Sequence, residues 1–227
     1  LVLLLNSDVS PRPNFIKVAA KHFEKDKGDL FAVGLADYSH EDGKIIVRGR
    51  GGAKFKKGFL SHFKASSAAG ETLWVSGGSS LVARDKFLEL GGFDDVYAPF
   101  YWEDIDLCYR AQKSGYTCLF EPESRVDHFH EEGAIKKNYS NFFVKIISFR
   151  NQFIFIWKNI SHTSYLLAHI LWLPYHLAKS IVTINIAFLA GFVWAIIKVP
   201  ALIFNSPRLN LNSQLTDSEV LKKFEKL

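Results

Sequence analysis

The sequence predicts an α/β domain, a mixed sheet flanked by helices, followed by apolar C-terminal α-helices. The first run, 1-LVLLL-5, is continuous and apolar, which is typical of a strand buried on both faces. Strand-like and helical patterns then alternate between Gly-rich turns up to about residue 135. From Asn159 to Ile197, Lys179 is the only charged residue. We therefore predict three regions, with bounds 1–160, 161–204 and 205–227.

Turn and cap residues divide the chain into elements. Pro11 and Pro13 open a first helix, 42-DG-43 marks a hairpin turn, and 49-GRGGAKFKKG-58 is predicted to be a flexible basic loop. The predicted strands are 1–5, 30–36, 44–48, 72–82, 116–120 and 125–128. The predicted helices are 11–25, 85–90 (ended by 91-GG-92), 103–114, those from 136 onward, and a short surface helix capped by Thr216 or Ser218.

Composition limits the classes of partner. The 227 residues are 48% hydrophobic and 22% charged, which is enough for a packed core. The net charge is +5, and a basic aromatic segment, 54-KFKKGFLSHFK-64, is interpreted as a solvated face, with anionic lipid headgroups or a phosphate-bearing substrate as the alternative. No nucleic-acid motif is present, so no nucleic-acid partner is expected. Cys108 and Cys118 fit neither a disulfide framework nor a zinc site, which predicts buried thiols.

The first chemical candidate is Asp8, in 6-NSD-8. It follows the first predicted strand, and open α/β sheets place their ligands at the carboxyl ends of strands. A carboxylate at that place can hold Mg²⁺ or Mn²⁺ that is bridged to phosphates. A local turn or a helix cap is an equally good reading of Asp8 by itself.

The second candidate is Asp104, in 103-EDID-106. On a helix that begins at Glu103, Asp104 shares a face with Leu107 and Cys108, whereas Asp106 lies on the opposite side and is expected to be solvated. Acids in a first turn favour the helix dipole, which accounts for Glu103 and Asp106. An inward carboxylate is costly unless it is paired or used, so Asp104 is a candidate general base.

Two further segments carry weaker signals. In 126-VDHFHEEG-133, His128 and His130 point the same way on an extended strand, so His128 could complete a cation site, although a structural histidine is the commoner reading. In 74-WVSGGSS-80, Gly77 and Gly78 would let a ligand approach the backbone closely, and a glycine bulge in a strand explains them equally well.

These motifs together, in this order, resemble those of the inverting family 2 glycosyltransferases of the GT-A fold, in particular rhamnosyltransferase-like enzymes of the cell envelope. The resemblance covers roughly residues 1–160, and its most specific part is GGFDD followed by EDIDLCYRAQKSGY. The motifs that carry it are 6-NSD-8, 74-WVSGGSSLVAR-84, 91-GGFDD-95, 101-YWEDIDLCYR-110, 115-GY-116 and 122-PESRVDH-128.

The resemblance implies roles for individual residues. Asp104 matches the base, and Asp8 and His128 match the groups that hold Mn²⁺ or Mg²⁺ on the donor diphosphate. Asn6 stands where many members carry Asp, which leaves one metal ligand fewer, and Asp94 precedes the base in a structural or sugar-contacting segment. The residues that the resemblance places against donor or acceptor are Asn6, Trp74, Gly77, Gly78, Asp95, Trp102 and Glu103.

The implied activity is transfer of a sugar, with inversion, from a nucleotide-diphospho-sugar to a hydroxyl of a glycan or lipid-linked acceptor. The chain contains no Met, and nothing before Leu1 supplies the family's nucleotide-binding strand and helix. We therefore expect a domain that is incomplete at its N-terminus and has little activity alone. A non-catalytic membrane-associated scaffold module is the alternative, and a phosphohydrolase using Asp8, Asp104 and His128 would need more metal-binding acids.

The apolar C-terminal region predicts contact with a membrane surface, at the cytoplasmic face of a bacterial inner membrane. His162, His169 and His176 are spaced seven apart and read as a polar stripe on an interfacial helix. A hairpin through the bilayer is the alternative. The cations expected near lipid headgroups are Lys145, Arg150, Lys158, Lys179 and Lys198.

Overall fold

The computed structural model describes residues 1–41, 43–129, 134–204 and 213–227 of the chain. The predictions about Asp42, about His130 and about the acidic pair Glu131 and Glu132 fall outside these residues. The strands are β1 Val2–Leu5, β2 Val9–Pro11, β3 Leu30–Glu41, β4 Lys44–Arg48, β5 Gly51–Lys56, β6 Phe59–Lys64, β7 Gly70–Glu71, β8 Ser79–Val82 and β9 Thr117–His128. The helices are α1 Phe15–Glu24, α2 Arg84–Glu89, α3 Glu103–Lys113, α4 Ala134–Asn138, α5 Asn141–Asn159, α6 Thr163–Val182, α7 Ile186–Phe204 and α8 Asp217–Phe224.

A mixed sheet is the centre of the fold, as predicted. In the described part of the chain it has seven strands in the order β1-β8-β3-β9-β2, with β4 added to β3 and β7 added to β9. Strands β3 and β9 are parallel, and the other pairs are antiparallel. Strands β5 and β6 form a separate hairpin.

Strand β3 is buried on both faces because its first eight residues, LFAVGLAD, are almost all apolar. Val33 and Leu35 pack with α1 on one face of the sheet. Phe31 packs with Leu107 and Cys108 of α3 on the other. The two cysteines are free and buried, as predicted. The sheet is therefore held between α1 and α3, and α3 carries the candidate base.

Several predicted features of the strands and of the first helix are wrong. The first strand, β1, is half-buried and pairs with β8 at the edge of the sheet, where burial on both faces was predicted. Pro11 ends strand β2, where an edge position tolerates its missing N–H, and the helix begins four residues later at Phe15. The predicted pieces 116–120 and 125–128 form the single strand β9, which stays continuous across a register shift opposite Leu35 and Ala36.

The predicted flexible loop at 49–58 is instead most of the β5–β6 hairpin. Its turn residues, Lys57 and Gly58, have φ of 50° and 78°, which suits a tight hairpin turn. Gly51 is required because a Cβ there would lie 2.5 Å from the ring of Trp74. A Lys-Gly turn lacks the usual Asn-Gly or Asp-Gly signal, and the basic residues therefore suggested a loop.

The C-terminal helices pack against the α/β domain through one shared core. Rings of Phe149 and Phe153 on α5 contact Phe188 on α7 at 5.2 and 5.3 Å. Helix α8 begins after Thr216, which forms the predicted cap, but it is more than a surface helix, because Val220, Leu221 and Phe224 are buried. The region bounds at 160 and 204 stay predictions.

The histidines of α6 do not form a polar stripe toward solvent. His169 is buried, its Nδ1 donates to Gly58 O at 2.7 Å, and its Nε2 accepts from Trp157 Nε1 at 3.1 Å. His176 Nε2 donates to Lys57 O at 2.8 Å. Two of the predicted headgroup cations are also elsewhere, because the side chains of Arg150 and Lys158 are buried among polar partners.

One helix meets the length and composition needed to cross a membrane. Within the described residues, this is the segment Ile186–Ile203 of α7, of which 22% is buried in the chain. Length and composition alone support the assignment, and helix α6 does not meet the same test.

Candidate active site

The predicted metal ligands Asp8 and His128 lie side by side. Asp8 precedes β2 and His128 ends β9, and the two strands pair so that Val9 is opposite His128. His128 Nε2 is 3.3 Å from Asp8 Oδ2. The predicted pair is therefore brought together at one edge of the sheet.

A third residue, Asp37, orients His128 from behind. It lies on β3, is buried, and its Oδ2 is 2.7 Å from His128 Nδ1, while its Oδ1 accepts from Ser39 Oγ. Burial opposes charge on the His128 ring, but the hydrogen bond and charge of Asp37 raise the pKa of His128 above its ordinary value. A carboxylate behind a histidine ligand fixes the tautomer in which Nε2 can bind a metal.

The donor set fits a divalent cation that is shared with a substrate. In the described residues, no three His, Cys, Asp or Glu side chains converge on one point, and Asp37 lies on the far side of the imidazole. Asp8 and His128 would therefore supply two ligands, and the remaining positions would be open to phosphate oxygens and water. Mg²⁺ and Mn²⁺ bind in this way, through few protein groups and substrate phosphates.

Asp37→Asn is expected to weaken Mn²⁺ binding by about 10- to 100-fold, which is typical when the group behind a metal-binding histidine is lost. Isothermal titration with Mn²⁺ would measure the change. Asp127→Asn is the matched control, because Asp127 is next to His128 on β9 but bonds Arg12 and His40 instead. Equal weakening by both variants would contradict the role of Asp37.

Asp104 lies in the first turn of α3, as predicted. Its Oδ1 accepts from the backbone N–H of Ile105 at 2.8 Å, and its Oδ2 accepts from that of Gly77 at 3.4 Å. Burial raises the pKa of Asp104 against these two hydrogen bonds, which lower it. A carboxylate with a raised pKa is a better proton acceptor near neutral pH.

The segment 76–78 joins Asp104 to the strand that leads to Asp8. Gly77 donates to Asp104, and a Cβ on Gly77 would lie 3.6 Å from Asp104 Cβ. Gly78 accepts from the backbone N–H of Asn6 at 3.0 Å, and a Cβ there would lie 2.4 Å from the Asn6 side chain. The two adjacent glycines therefore bring Asn6 and Asp104 to one short loop.

The Glu103 carboxyl group is in an environment that disfavours its negative charge. Within the described residues its Oε2 is buried without a hydrogen-bond partner. Burial, and then the adjacent charge of Asp104, raise the pKa of Glu103 to about 7. The carboxyl is thus partly protonated at neutral pH and can act as a hydrogen-bond donor toward a bound molecule.

Glu103→Gln is expected to stabilise the chain at about pH 8 and to change little at about pH 4. The pKa of Glu103 is about 7 when folded against an ordinary 4.5, so the folded state holds the extra proton between these values. Stability is lost as pH rises through this window, and a neutral glutamine removes that loss. Urea unfolding across the window would measure it, and parallel stability curves for both proteins would contradict it.

The prediction that Asp106 is solvated is wrong. It is fully buried, and Tyr97, Arg110, Lys158 and Asn159 all donate to its carboxylate at 2.7 to 3.0 Å. Burial opposes the charge of Asp106, but Arg110 and Lys158 lower its pKa overall. Asp106 is a structural charge that ties α3 to α5.

Asp94 and Asp95 differ in burial. Asp94 is buried, caps the 3-10 turn Asp95–Tyr97 through the Val96 N–H, and lies 2.7 Å from Lys158 Nζ. Asp95 is exposed, and no contact joins it to Asp104 in the described chain. Asp94 therefore supports the loop, and the ligand role predicted for Asp95 stays a prediction.

Helix α5 holds the loop that leads into α3. Asn151 Nδ2 donates to the carbonyls of Tyr97, Phe100 and Tyr101 at 2.7 to 2.9 Å. Arg150 Nη2 donates to Tyr97 O at 3.1 Å and Ala98 O at 2.6 Å. This support holds Tyr101 and Trp102 at positive φ of 71° and 76°, a conformation that persists only where its surroundings impose it.

The two predicted tryptophans flank His62 of β6. The His62 ring lies 5.4 Å from Trp74 and 5.3 Å from Trp102, edge to face in both cases. Trp102 is only 4% exposed and belongs to the core, so it offers little surface to a ligand. Trp74 is half-buried, and His62 adds an exposed ring at the same place.

Sequence reasoning missed Asp37, His62, Arg150 and Asn151. Asp37 had a usable signal, because it follows the apolar run of β3 as Asp8 follows that of β1. The other three depend on packing between segments that are distant in sequence, and no local pattern marks them.

Comparisons with known proteins relate the chain to glycosyltransferases. A family model described as Glycosyl transferase family group 2 matches residues 1–204. Two relatives from Mycobacterium tuberculosis, strains CDC 1551 / Oshkosh and ATCC 25618 / H37Rv, are both N-acetylglucosaminyl-diphospho-decaprenol L-rhamnosyltransferase, each 42% identical over 55 residues. Those residues are 24% of this chain and 18% of each relative.

A solved structure, GalNAc-T7 with UDP, GalNAc and Mn²⁺, is similar at a TM-score of 0.49 and 16% identity. The similarity covers 69% of this chain and 31% of that one. The family model, by contrast, spans nearly the whole chain and includes every motif of the site described above. The chain belongs to the group 2 family of glycosyltransferases.

Proposed function

We propose that this chain carries the metal-binding and base-bearing part of an inverting glycosyltransferase that uses a nucleotide-diphospho-sugar. One observation carries the proposal. The segment 76–78 contacts Asn6 of the metal-binding motif on one side and Asp104 on the other. The segment 6–8, which contains the proposed metal ligand Asp8, and the proposed base Asp104 thus meet at one short loop. Sugar transfer from a diphosphate needs a metal ligand and a base in one site of this kind.

The reaction follows from the residues. The acceptor hydroxyl binds beside Asp104, whose carboxylate removes its proton as the oxygen bonds to the anomeric carbon of the donor. The bond from that carbon to the diphosphate breaks, and the nucleoside diphosphate leaves with the electron pair. Asp8 and His128 would hold a Mn²⁺ or Mg²⁺ ion, which would supply positive charge to the leaving diphosphate. A single displacement of this kind inverts the anomeric configuration.

The acceptor is proposed to be a lipid-linked glycan of the cell envelope. The names of the two mycobacterial relatives describe transfer to a sugar on a diphospho-decaprenol lipid. In this chain, α6 and α7 expose large apolar side chains, including Leu171, Val182 and Ile197. Such a surface suits an enzyme at the cytoplasmic face of a bacterial inner membrane, where a lipid-linked acceptor resides.

A non-catalytic scaffold module is the second candidate, and donor binding separates the two. The protein as its host expresses it would be titrated with a panel of nucleotide-sugars, with and without Mn²⁺. The proposal predicts that one donor class binds and that binding weakens without the ion or in Asp8→Asn. Absence of binding to every donor would favour the scaffold.

A further inference from the structure

A basic cavity lies between the hairpin β5–β6 and helices α5, α6 and α7. It has a volume of about 370 Å³ and is open to solvent. Its lining includes Lys56 and Lys57 from the hairpin, and Lys179 and His176 from α6. Every lining residue is in the described part of the chain, and none is acidic. The cavity therefore attracts an anion.

The other polar groups of the cavity suit a phosphate. Gln152 and Asn185 add side-chain amides, each with two N–H donors, of which Gln152 Nε2 uses one on Leu60 O. The Thr183 hydroxyl donates to Lys179 O at 2.8 Å, and Ser180 is a buried hydroxyl on the same wall. Lysine is a common phosphate ligand because its ammonium is a compact point charge with three donors. Phe59, Phe149 and Phe188 form the apolar part of the lining.

Helix α6 fixes the hairpin turn that carries two of the lysines. His176 bonds Lys57 O, and His169 bonds Gly58 O. Lys57 Nζ lies 5.4 Å from the ring centre of Trp172 and 5.9 Å from that of Tyr175. The ammonium group of Lys57 is thus held against an aromatic surface before any ligand binds, which reduces the conformational entropy that this side chain loses on binding.

The turn between helices α6 and α7 exposes apolar side chains beside the cavity. Residues 179, 180, 183 and 185 line it, while Val182 and Ile184, between them in sequence, are 82% and 75% exposed. Trp172 and Tyr175 are exposed next to Lys57, and such aromatics are enriched where a membrane meets water. Lysines around a cavity and apolar residues beside it match a lipid headgroup and its acyl chains.

We propose that this cavity binds the phosphate of an anionic phospholipid and so seats the chain on the membrane. Ser61 lines the cavity, whereas its neighbour His62 contacts Trp74 and Trp102 near the base. Adjacent residues of a strand point to opposite faces, so the cavity and the base lie on opposite sides of β6. This favours an anchoring lipid over the reacting acceptor. The inference rests on the proposed membrane association and is independent of sugar transfer.

Vesicle binding without any sugar donor tests the inference. The protein would be sedimented with vesicles of phosphatidylglycerol and phosphatidylcholine, and with phosphatidylcholine alone. The double variant Lys57→Gln/Lys179→Gln is expected to bind the anionic vesicles roughly thirtyfold more weakly, the combined effect of two surface lysines. The matched control Lys17→Gln/Lys21→Gln removes the same charge from exposed positions of α1 and should change binding less than about threefold.

Three results would overturn the inference. Equal losses of vesicle binding in the two double variants would show that only the net charge matters. If the unmodified protein does not prefer anionic vesicles, an anionic phospholipid is not the ligand of the cavity. Unchanged vesicle binding together with a raised KM for a lipid-linked acceptor would assign the cavity to the acceptor diphosphate. Because no donor is present in the binding assay, its outcome does not depend on whether the protein transfers sugar.

Discussion

Replacing Asp104 with asparagine is expected to lower the rate of sugar transfer by about 10²- to 10⁴-fold, the usual contribution of a general base. Asparagine keeps the shape and one oxygen, so it can still accept from the N–H of Ile105 at the first turn of α3. It cannot take the proton of the acceptor hydroxyl. The affinity for the donor should be unchanged, because the residues proposed to hold the metal ion of the donor diphosphate are Asp8 and His128.

The measurement is kcat with saturating donor, beside a donor-binding titration of each protein. Asp85→Asn is the control, because Asp85 is 96% exposed and lies outside the site. Retention of full kcat in Asp104→Asn would remove Asp104 from the role of base. A loss of donor affinity equal to the loss of rate would assign Asp104 to substrate binding instead.

Asp106→Asn is expected to lower the free energy of unfolding by about 3 to 5 kcal/mol, as when one partner of a buried ion pair is removed. The change removes the carboxylate that pairs with Arg110 and one of the two that pair with Lys158, whose other partner is Asp94. Arg110 also donates to the carbonyls of Leu90 and Gly92, so the loop before α3 would loosen with it.

Urea unfolding followed by circular dichroism would measure this loss. Asp85→Asn again serves as the control and should change stability by less than about 0.5 kcal/mol, as exposed substitutions do. If the two asparagine variants unfold at the same urea concentration, the buried network does not stabilise the fold as described.

Asp104 and Asp106 of helix α3 show how much of the site can be predicted from the sequence. The pattern after Trp102 correctly predicts a helix that begins at Glu103, with Asp104 in its first turn. The contact of Asp104 with Gly77 comes from the structure alone. The pattern fails for Asp106, because the partners of that carboxylate, Lys158 and Asn159, are some fifty residues away on α5. A helical pattern shows which residues share a face, but it does not show what another segment will bring to the opposite face.

The basic hairpin shows the same limit for the fold. Apolar strands such as β3 are predictable because a run of consecutive apolar residues indicates a strand that is buried on both faces. Strand β5 is rich in glycine and lysine, and β5 and the turn after it are held by contacts from Trp74, His169 and His176. Those contacts come from distant segments, so the segment 49–58 reads as a loop until the packing is known.

The most direct test of the account is release of nucleoside diphosphate by the protein as its host expresses it, purified in detergent with Mn²⁺. A panel of nucleotide-sugars would be assayed with a lipid extract as acceptor, beside Asp104→Asn. The account predicts release from one donor class that is lost on chelation of the metal and in the variant, although the variant still binds that donor. Equal release from both proteins, or no donor binding and no release with any donor, would contradict it.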